Sequence, residues 1–178
     1  MNLLLGVTGG IAAYRACELT SLAVKAGHTV RVMMTHNATH FVGAVTFEAL
    51  SGHPVFLDTF ASGGAMDHIR WAKWADIVVV APLSANTLGR LACGLAGDAL
   101  TTTLLAVPRG RPGVLAPAMN TEMWLHPLVQ RNLGWLTESG RYRIVGPTEK
   151  RLACGDVGPG GMAEPADILT AATQGLPG

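Results

Sequence analysis

Several short stretches of this 178-residue chain hold residues whose types and spacing could do chemistry. "GVTGGIAA" places Gly9 and Gly10 between an apolar run and a helical pattern. Glycines at such a turn let backbone N–H groups approach a phosphate at a helix N-terminus, where the dipole favours an anion. The pattern is neither the full G-x-G-x-x-G of dinucleotide binders nor a phosphate loop with its lysine, and a tight strand-to-helix turn requires glycine with or without a ligand. "PLSANT" supplies further donors, Ser84, Asn86 and Thr87, where another helix opens, and Ser84 would serve equally as its N-cap. "MDHIRWAKWAD" carries His68. An imidazole suits proton transfer where it faces a cleft, and is otherwise a hydrogen-bonded structural group. Asn120 in "PAMNTEMW" stands between a strand and a helix. Its amide suits a helix cap or, equally, the carboxylate of an acid substrate.

Near the C-terminus, "RLACGDVGPGGMAEP" sets the thiol of Cys154 and the carboxyl of Asp156 among glycines and prolines. That composition excludes a helix or a central strand and reads as a flap. The other histidines, His28, His36, His40, His53 and His126, show no metal-ligand spacing such as H-E-x-x-H. The cysteines, Cys17, Cys93 and Cys154, form no C-x-x-C pair. Neither a metal nor a disulfide framework is therefore expected, and the cysteine usage fits a reducing, cytoplasmic compartment. Thirteen basic against twelve acidic residues give a formal charge of +1, with no basic stripe to grip a nucleic acid. "MNLLLGV" is too short for a signal-peptide core, and no apolar run approaches the roughly 20 residues that span a bilayer. Neither nucleic acid nor membrane is expected as a partner.

These residues need elements to position them. Leu3 to Val7 is a continuous apolar run, the pattern of a strand buried on both faces. "IAAYRACELTSLAVKAG" has helical spacing, with Ile11, Tyr14, Leu19, Leu22 and Val24 as its apolar residues and Gly27 as its stop, and "HTVRVMMT" is a strand. A strand-helix-strand unit of about 30 residues implies a parallel pair with a right-handed crossover. "THFVGAVTFEALSG" reads as helical with a glycine stop, and "DIVVVAP" as the most apolar and hence central strand. "SANTLGRLACGLAGDALTTTLLAV" reads as one helix or two, divided near Gly94 to Gly97. "GVLAPAMN" is a further strand, "TEMWLHPLVQRNLGWLTESG" a helix kinked at Pro127, "RYRIVGP" a late strand and "EPADILTAAT" a closing helix. Cys17 and Cys93 fall on helical apolar faces and read as core. The alternation specifies an α/β fold, a single-domain doubly wound parallel sheet over 1–178. Ligands in such sheets sit beyond the carboxyl ends of the strands, near a switch in strand order. "TGG", "THN", "PLSANT" and "PAMN" are the segments expected there.

In this order, "TGGIAA", "DHIRWAKWAD", "APLSANTLGRLACGLAGD", "APAMNTEMW" and "LACGDVGPGGMAEP" closely resemble the motifs of the FMN-containing cysteine decarboxylases, from about Leu3 to the closing helix. "PAMN" and "ACGD" together are the specific part. The resemblance implies a Rossmann-like, flavodoxin-like flavoprotein with FMN as cofactor. Gly9, Gly10 and Ile11 match the family's first FMN loop, and Thr35, His36 and Asn37 the second. Ser84, Ala85, Asn86 and Thr87 match the third. Ala118 falls where a backbone contact to the flavin is expected, and Phe41 where a side chain would cover the ring. His68 matches the catalytic base and Asn120 the residue that binds the substrate carboxylate. Cys154 matches the proton donor on a substrate-clamping flap, about 148–164, in which Met162 would line the substrate.

The activity implied by the resemblance is that of a carboxy-lyase acting on 4'-phosphopantothenoylcysteine to give 4'-phosphopantetheine in coenzyme A biosynthesis. In that reaction the thiol is oxidised with FMN to a thioaldehyde, the carboxylate leaves as carbon dioxide, and the enethiolate is reduced again with a proton from the flap cysteine. Family members assemble as homotrimers, some as homododecamers, so a homo-oligomer is implied here. Gly161 stands where many bacterial relatives carry arginine, which leaves the substrate phosphate to other cations, such as Lys150, Arg151 or Arg109. The ligase domain fused to many bacterial homologues is not among these residues. Three alternatives share the fold. A peptidyl-cysteine decarboxylase of the lantibiotic type stops at the enethiol and lacks the "ACGD" cysteine. A flavin prenyltransferase lacks the set of His68, Asn120 and Cys154, and non-catalytic regulatory subunits have usually lost part of it. All three residues stand in this chain, which favours the coenzyme A reaction.

Overall fold

The computed structural model describes residues 1–59, 66–151 and 157–174, and of Lys150 and Arg151 the backbone alone. Strand β1 (Asn2–Val7) is buried from Leu3 onward, as a strand covered on both faces must be. Helix α1 (Ala13–Lys25), strand β2 (Thr29–Met34), a 3-10 turn at His36–His40 and helices α2 (Ala44–Ser51) and α3 (Asp67–Trp74) follow. Strand β3 (Ile77–Leu83) is buried along its whole length. Helices α4 (Ala85–Ala92) and α5 (Ala99–Ala106) lead to strand β4 (Gly113–Pro117), and helices α6 (Thr121–Leu125) and α7 (Pro127–Glu138) to strand β5 (Tyr142–Ile144). Strands β6 (Thr148–Arg151) and β7 (Val157–Gly161) precede helix α8 (Pro165–Thr173).

Strands β1 to β5 form a parallel sheet in the order β2-β1-β3-β4-β5. This is the flavodoxin-like doubly wound order, with its switch between β1 and β3. Strand β3 is the middle strand, as its unbroken apolar run requires. Alternate residues of each strand feed opposite faces. Leu3, Leu5, Val32, Val79 and Ala81 pack with α1, α2 and α8, while Leu4, Met33, Val78, Val80 and Leu115 pack with α3, α4, α5 and α7. Small residues set how closely the helices approach. Ala13, Ala16 and Ala23 of α1 are fully buried, and a Cβ on Gly6 would lie 2.6 Å from Leu100 Cδ1.

Several expectations change. The buried face of α1 consists of these alanines with Leu19 and Thr20, whereas Ile11 and Tyr14 are each 62% exposed and Val24 is exposed too. Close packing of helix on sheet selects small residues over the more apolar ones. The "THFVGAV" stretch divides into the 3-10 turn, opened by Thr35, and α2, which ends at Gly52 with φ 71°. Gly94 (φ 67°) follows α4, and Asp98 starts α5 through a capping box with Thr101, so the long helical stretch is two helices. Cys93 is exposed rather than core, and Cys17 is half-buried, where burial pushes its thiol up from the ordinary value. Pro127 does not kink a helix. It stands in the first turn of α7, where a missing N–H is harmless, behind a His126 cap that accepts from the Leu128 N–H. The flap contains an antiparallel ribbon, with Arg151 of β6 opposite Val157 of β7. A two-stranded ribbon tolerates the glycines and proline that a central strand would not.

Among the described residues no helix is long and apolar enough to cross a membrane, and no group of three or more histidines, cysteines or carboxylates could hold a metal ion. Asp98 binds the two helices that follow β3 to each other, accepting from the Thr101 N–H at 2.8 Å and from Arg90 Nη1 at 2.9 Å. Asp98→Ala is expected to lower stability by about 1–2 kcal/mol, read as a lower urea midpoint at unchanged slope.

Candidate active site

Parallel pairing brings the ends of β1, β2, β3 and β4 to one edge, with Val7 opposite Met34 and Leu83 opposite Pro117. The segments beginning at Thr8, Thr35, Ser84 and Ala118 leave from that edge. Backbone bonds stitch them to the sheet. The Thr35 N–H donates to the Val7 carbonyl at 3.0 Å, and the Ala118 N–H to the Leu83 carbonyl at 3.1 Å. Thr8, which no motif singles out, closes the switch point. Its buried Oγ1 donates to the Pro82 carbonyl at 2.7 Å and accepts from the Ser84 N–H at 2.9 Å, so the first and third loops share one hydroxyl.

Gly9 presses on the second loop, where a Cβ would lie 2.6 Å from Asn37 Cβ and 3.0 Å from its backbone carbon. Gly10 faces open space, since a Cβ there would meet nothing within 4 Å. Beside these polar loops Ile11 and Phe41 leave apolar side chains exposed, Phe41 to 49%. His36 and Asn37 are exposed and Thr35 is half-buried. The His36 ring stands edge-on to His40, with centroids 5.3 Å apart. Ser84 caps α4 by accepting from the Thr87 N–H at 3.3 Å. Thr87 is buried, Asn86 exposed, and Ala85 and Ala118 half-buried.

Asn120 caps α6: its Oδ1 accepts from the Glu122 N–H at 2.8 Å, so donation by this amide comes from its nitrogen. Next to it, the Met119 N–H donates to the Gly160 carbonyl at 2.9 Å, and a Cβ on Gly158 would fall 2.9 Å from Thr121 Oγ1. The ribbon of β6 and β7 is thus seated on the loop that carries Asn120. Met162, expected to line the substrate, is instead 1% exposed and packed in the core shared with α1 and α8. Its carbonyl is held by Arg15 Nη1 at 2.9 Å just beyond the end of β7, and its side chain fills the core.

His68 is the second residue of α3, and its Nδ1 is buried with no hydrogen-bond partner. Thr121 Oγ1 is the other such side-chain atom among the described residues. Interiors pair most of their polar atoms, so these two stand out from the rest of the described core. Aromatic packing fixes α3, with Trp71 stacked on Phe56 at 5.1 Å between centroids and the Arg31 guanidinium 4.6 Å over Trp74. Cys154 lies outside the described residues. The loop contacts set a paired expectation. Gly9→Ala should destabilise the protein by about 1–3 kcal/mol through overpacking against Asn37, and Gly10→Ala should stay within about 0.5 kcal/mol. Denaturation curves compare the two, and equal midpoints would mean that Gly9 does not press on the second loop.

The coenzyme A biosynthesis bifunctional protein CoaBC of Bacillus subtilis (strain 168) is 50% identical to this chain over 175 residues, which are 97% of this chain and 42% of that protein. The chain spans less than half the length of the curated relatives it matches. Among solved structures, a cysteine-to-serine mutant of PPC decarboxylase complexed with pantothenoylaminoethenethiol superposes with a TM-score of 0.85 at 37% identity, over 95% of this chain and 94% of that one. The FMN-dependent cysteine decarboxylase SpaF superposes with a TM-score of 0.83, also at 37% identity, over 98% and 96% of the two chains. The Flavoprotein family model matches residues 1–176, and the chain belongs to that family.

Proposed function

We propose that this chain is an FMN-dependent carboxy-lyase that converts 4'-phosphopantothenoylcysteine to 4'-phosphopantetheine and carbon dioxide in coenzyme A biosynthesis. The observation that carries the reading is the seating of the ribbon on the Asn120 loop, at the sheet edge where the three polar loops end. A carboxylate-binding amide and a clamping arm then serve one substrate, beside a glycine turn suited to the phosphate of the cofactor. The similar PPC decarboxylase, with a cysteine replaced by serine, is complexed with pantothenoylaminoethenethiol, which supports a cysteine as the group that carries an enethiol onward.

The residues present fit FMN. Gly10 faces open space, and the exposed Ile11 and Phe41 stand beside loops rich in polar groups, a mixture suited to a planar ring with a phosphate tail. The segments Gly9 to Ile11, Thr35 to Asn37 and Ser84 to Thr87 would hold the cofactor, with a backbone contact from Ala118. When bound, FMN supplies a two-electron acceptor whose electrons return before product leaves, so substrate and product differ by carbon dioxide alone.

The chain's own groups handle binding and protons. His68, with Nδ1 buried and partnerless, takes the proton of the substrate thiol. Asn120 donates from its amide nitrogen to the substrate carboxylate and orients it for loss of carbon dioxide. Cys154, on the arm spanned by β6 and β7 within 148–164, returns a proton to carbon, and the arm excludes water from the intermediate. The "ACGD" cysteine separates this reaction from one that stops at the enethiol. A homotrimer or homododecamer in the cytoplasm completes the proposal, in keeping with the exposed Ile11, Tyr14, Phe41 and Val45.

The FMN-loaded protein, incubated with 4'-phosphopantothenoylcysteine, is expected to give a mass loss of one carbon dioxide with no change in redox state. Unchanged substrate, or a product two hydrogens lighter, would overturn the reading. His68→Asn should slow turnover by about 10²–10⁴-fold, and wild-type turnover would remove the base assignment. Cys154→Ser should still release carbon dioxide but accumulate the oxidised enethiol, and mass spectrometry showing the normal reduced product would take the proton-donor role from Cys154.

A further inference from the structure

We propose that Arg15 is a positioning residue of this reaction, fastening the root of the ribbon to the helix that follows the glycine turn and thereby setting the ribbon on the Asn120 loop. The inference rests on the functional reading above. Arg15 lies in the first turn of α1, where a cation faces the positive end of the helix dipole, and its side chain is only 11% exposed. A buried charge so placed is unfavourable unless partners offset it. Its side chain reaches three residues of the segment that leaves β7. Nη1 donates to the Met162 carbonyl at 2.9 Å and reaches the Ala163 carbonyl at 3.5 Å, while Nη2 pairs with the Glu164 carboxylate. The planar fork of a guanidinium holds three successive residues in a way that a lysine ammonium does not.

The same root is gripped from its other side. Thr148 Oγ1 donates to the Gly161 carbonyl at 3.2 Å and lies 3.4 Å from the Met162 carbonyl. One residue back, the Gly160 carbonyl accepts from the Met119 N–H at 2.9 Å. Contacts therefore run without a gap from Arg15 through Met162, Gly161 and Gly160 to Met119, the neighbour of Asn120. Arg15 is 105 residues from Asn120 in sequence (120 minus 15), yet its side chain fixes the piece of backbone on which the Asn120 loop rests. The glycines of β7 bring no side chains of their own, so the ribbon is held at its root by the buried Met162 and Ala163 together with these polar contacts, which fix the path of the backbone between them.

Arg15→Gln, Arg15→Lys and Glu164→Gln test the assignment with three readouts: hydrogen exchange of the Met119 amide with and without FMN, FMN affinity, and the ratio of 4'-phosphopantetheine to oxidised enethiol among the products. In Arg15→Gln the Met119 amide should exchange about tenfold faster, the scale of one lost charge-assisted hydrogen bond. Amides of β1 and β3 should keep their protection, FMN should bind as in the wild type, and the enethiol fraction should rise severalfold. Arg15→Lys should fall between, and Glu164→Gln should shift least because the carbonyl contacts remain. Unchanged Met119 exchange, an unchanged product ratio, or protection lost evenly through β1 and β3 would overturn the proposal. If Arg15→Gln does not fold, Arg15→Lys carries the same comparison. A wild-type protein that fails to decarboxylate the substrate would sink the functional reading, while Met119 exchange would still decide whether Arg15 holds the root.

Discussion

The hydroxyl of Thr8 joins β1 to β3 at the one place where the winding of the sheet reverses, and the arrangement of the site depends on that bond pair. Strands on either side of a switch point send their connections to opposite faces, which opens a crevice between the first and third loops. The same divergence removes ladder partners from the backbone at the strand ends. Thr8 Oγ1 supplies both missing partners, a donor for the Pro82 carbonyl and an acceptor for the Ser84 N–H. Each such bond contributes about 1 kcal/mol net. The larger effect is that without the hydroxyl a carbonyl and an amide would be left unpaired in the interior. That hydroxyl therefore ties the start of the first loop to the start of the third.

The two sides of that crevice are built by different physics. Strands β1 and β3 with their helices are held by side-chain burial, with Leu3, Leu4 and Leu5 feeding alternate faces and alanines letting α1 lie close. Burial of this kind contributes about 25 cal/mol per Å² of apolar surface. The ribbon has almost none of it, because β7 reads Val-Gly-Pro-Gly-Gly and Val157 is exposed. Its position comes from its root, where Met162 and Ala163 enter the core and hydrogen bonds run to Met119, Thr148 and Arg15. A buried sheet edge thus faces a ribbon whose described residues are held at its root and against Thr121.

The sheet was legible because its signal is local. Continuous apolar runs at Leu3–Val7 and Ile77–Leu83 can bury both faces only inside a parallel sheet, and the glycines at 9 and 10 mark the turn that follows. The face of α1 was misread because spacing ranks residues by hydrophobicity while close packing ranks them by size. Ala13 and Ala16 go inside, and Ile11 and Tyr14 stay out. Pro127 carried a readable signal, a proline behind a capping His126, that the apolar pattern running through it obscured. The bonding roles of Thr8, placed only as part of "TGG", and of Arg15 were not legible in the sequence. Their partners lie 74 and 147 residues away, and nothing in the neighbouring residues encodes such contacts. The burial of Met162 was not legible either, since a motif gives its position in the chain but not the surroundings of its side chain.

The buried atoms without partners complete the picture. A polar group left unpaired in the interior costs about 1–3 kcal/mol, so a fold keeps one only where geometry or a ligand requires it. Of the two among the described residues, one is Nδ1 of His68, the proposed base, and the other is Oγ1 of Thr121, which directly follows Asn120. Thr121 lies under Gly158, where a Cβ would come within 2.9 Å of its hydroxyl and 3.0 Å of its methyl. A side chain at 158 would force either Thr121 or the ribbon to shift. Glycine does the opposite, allowing the Met119–Gly160 bond to close at 2.9 Å while the hydroxyl stays covered. The unpaired Thr121 hydroxyl and the close seating of the ribbon on the Asn120 loop therefore share one spot, beneath a residue with no side chain.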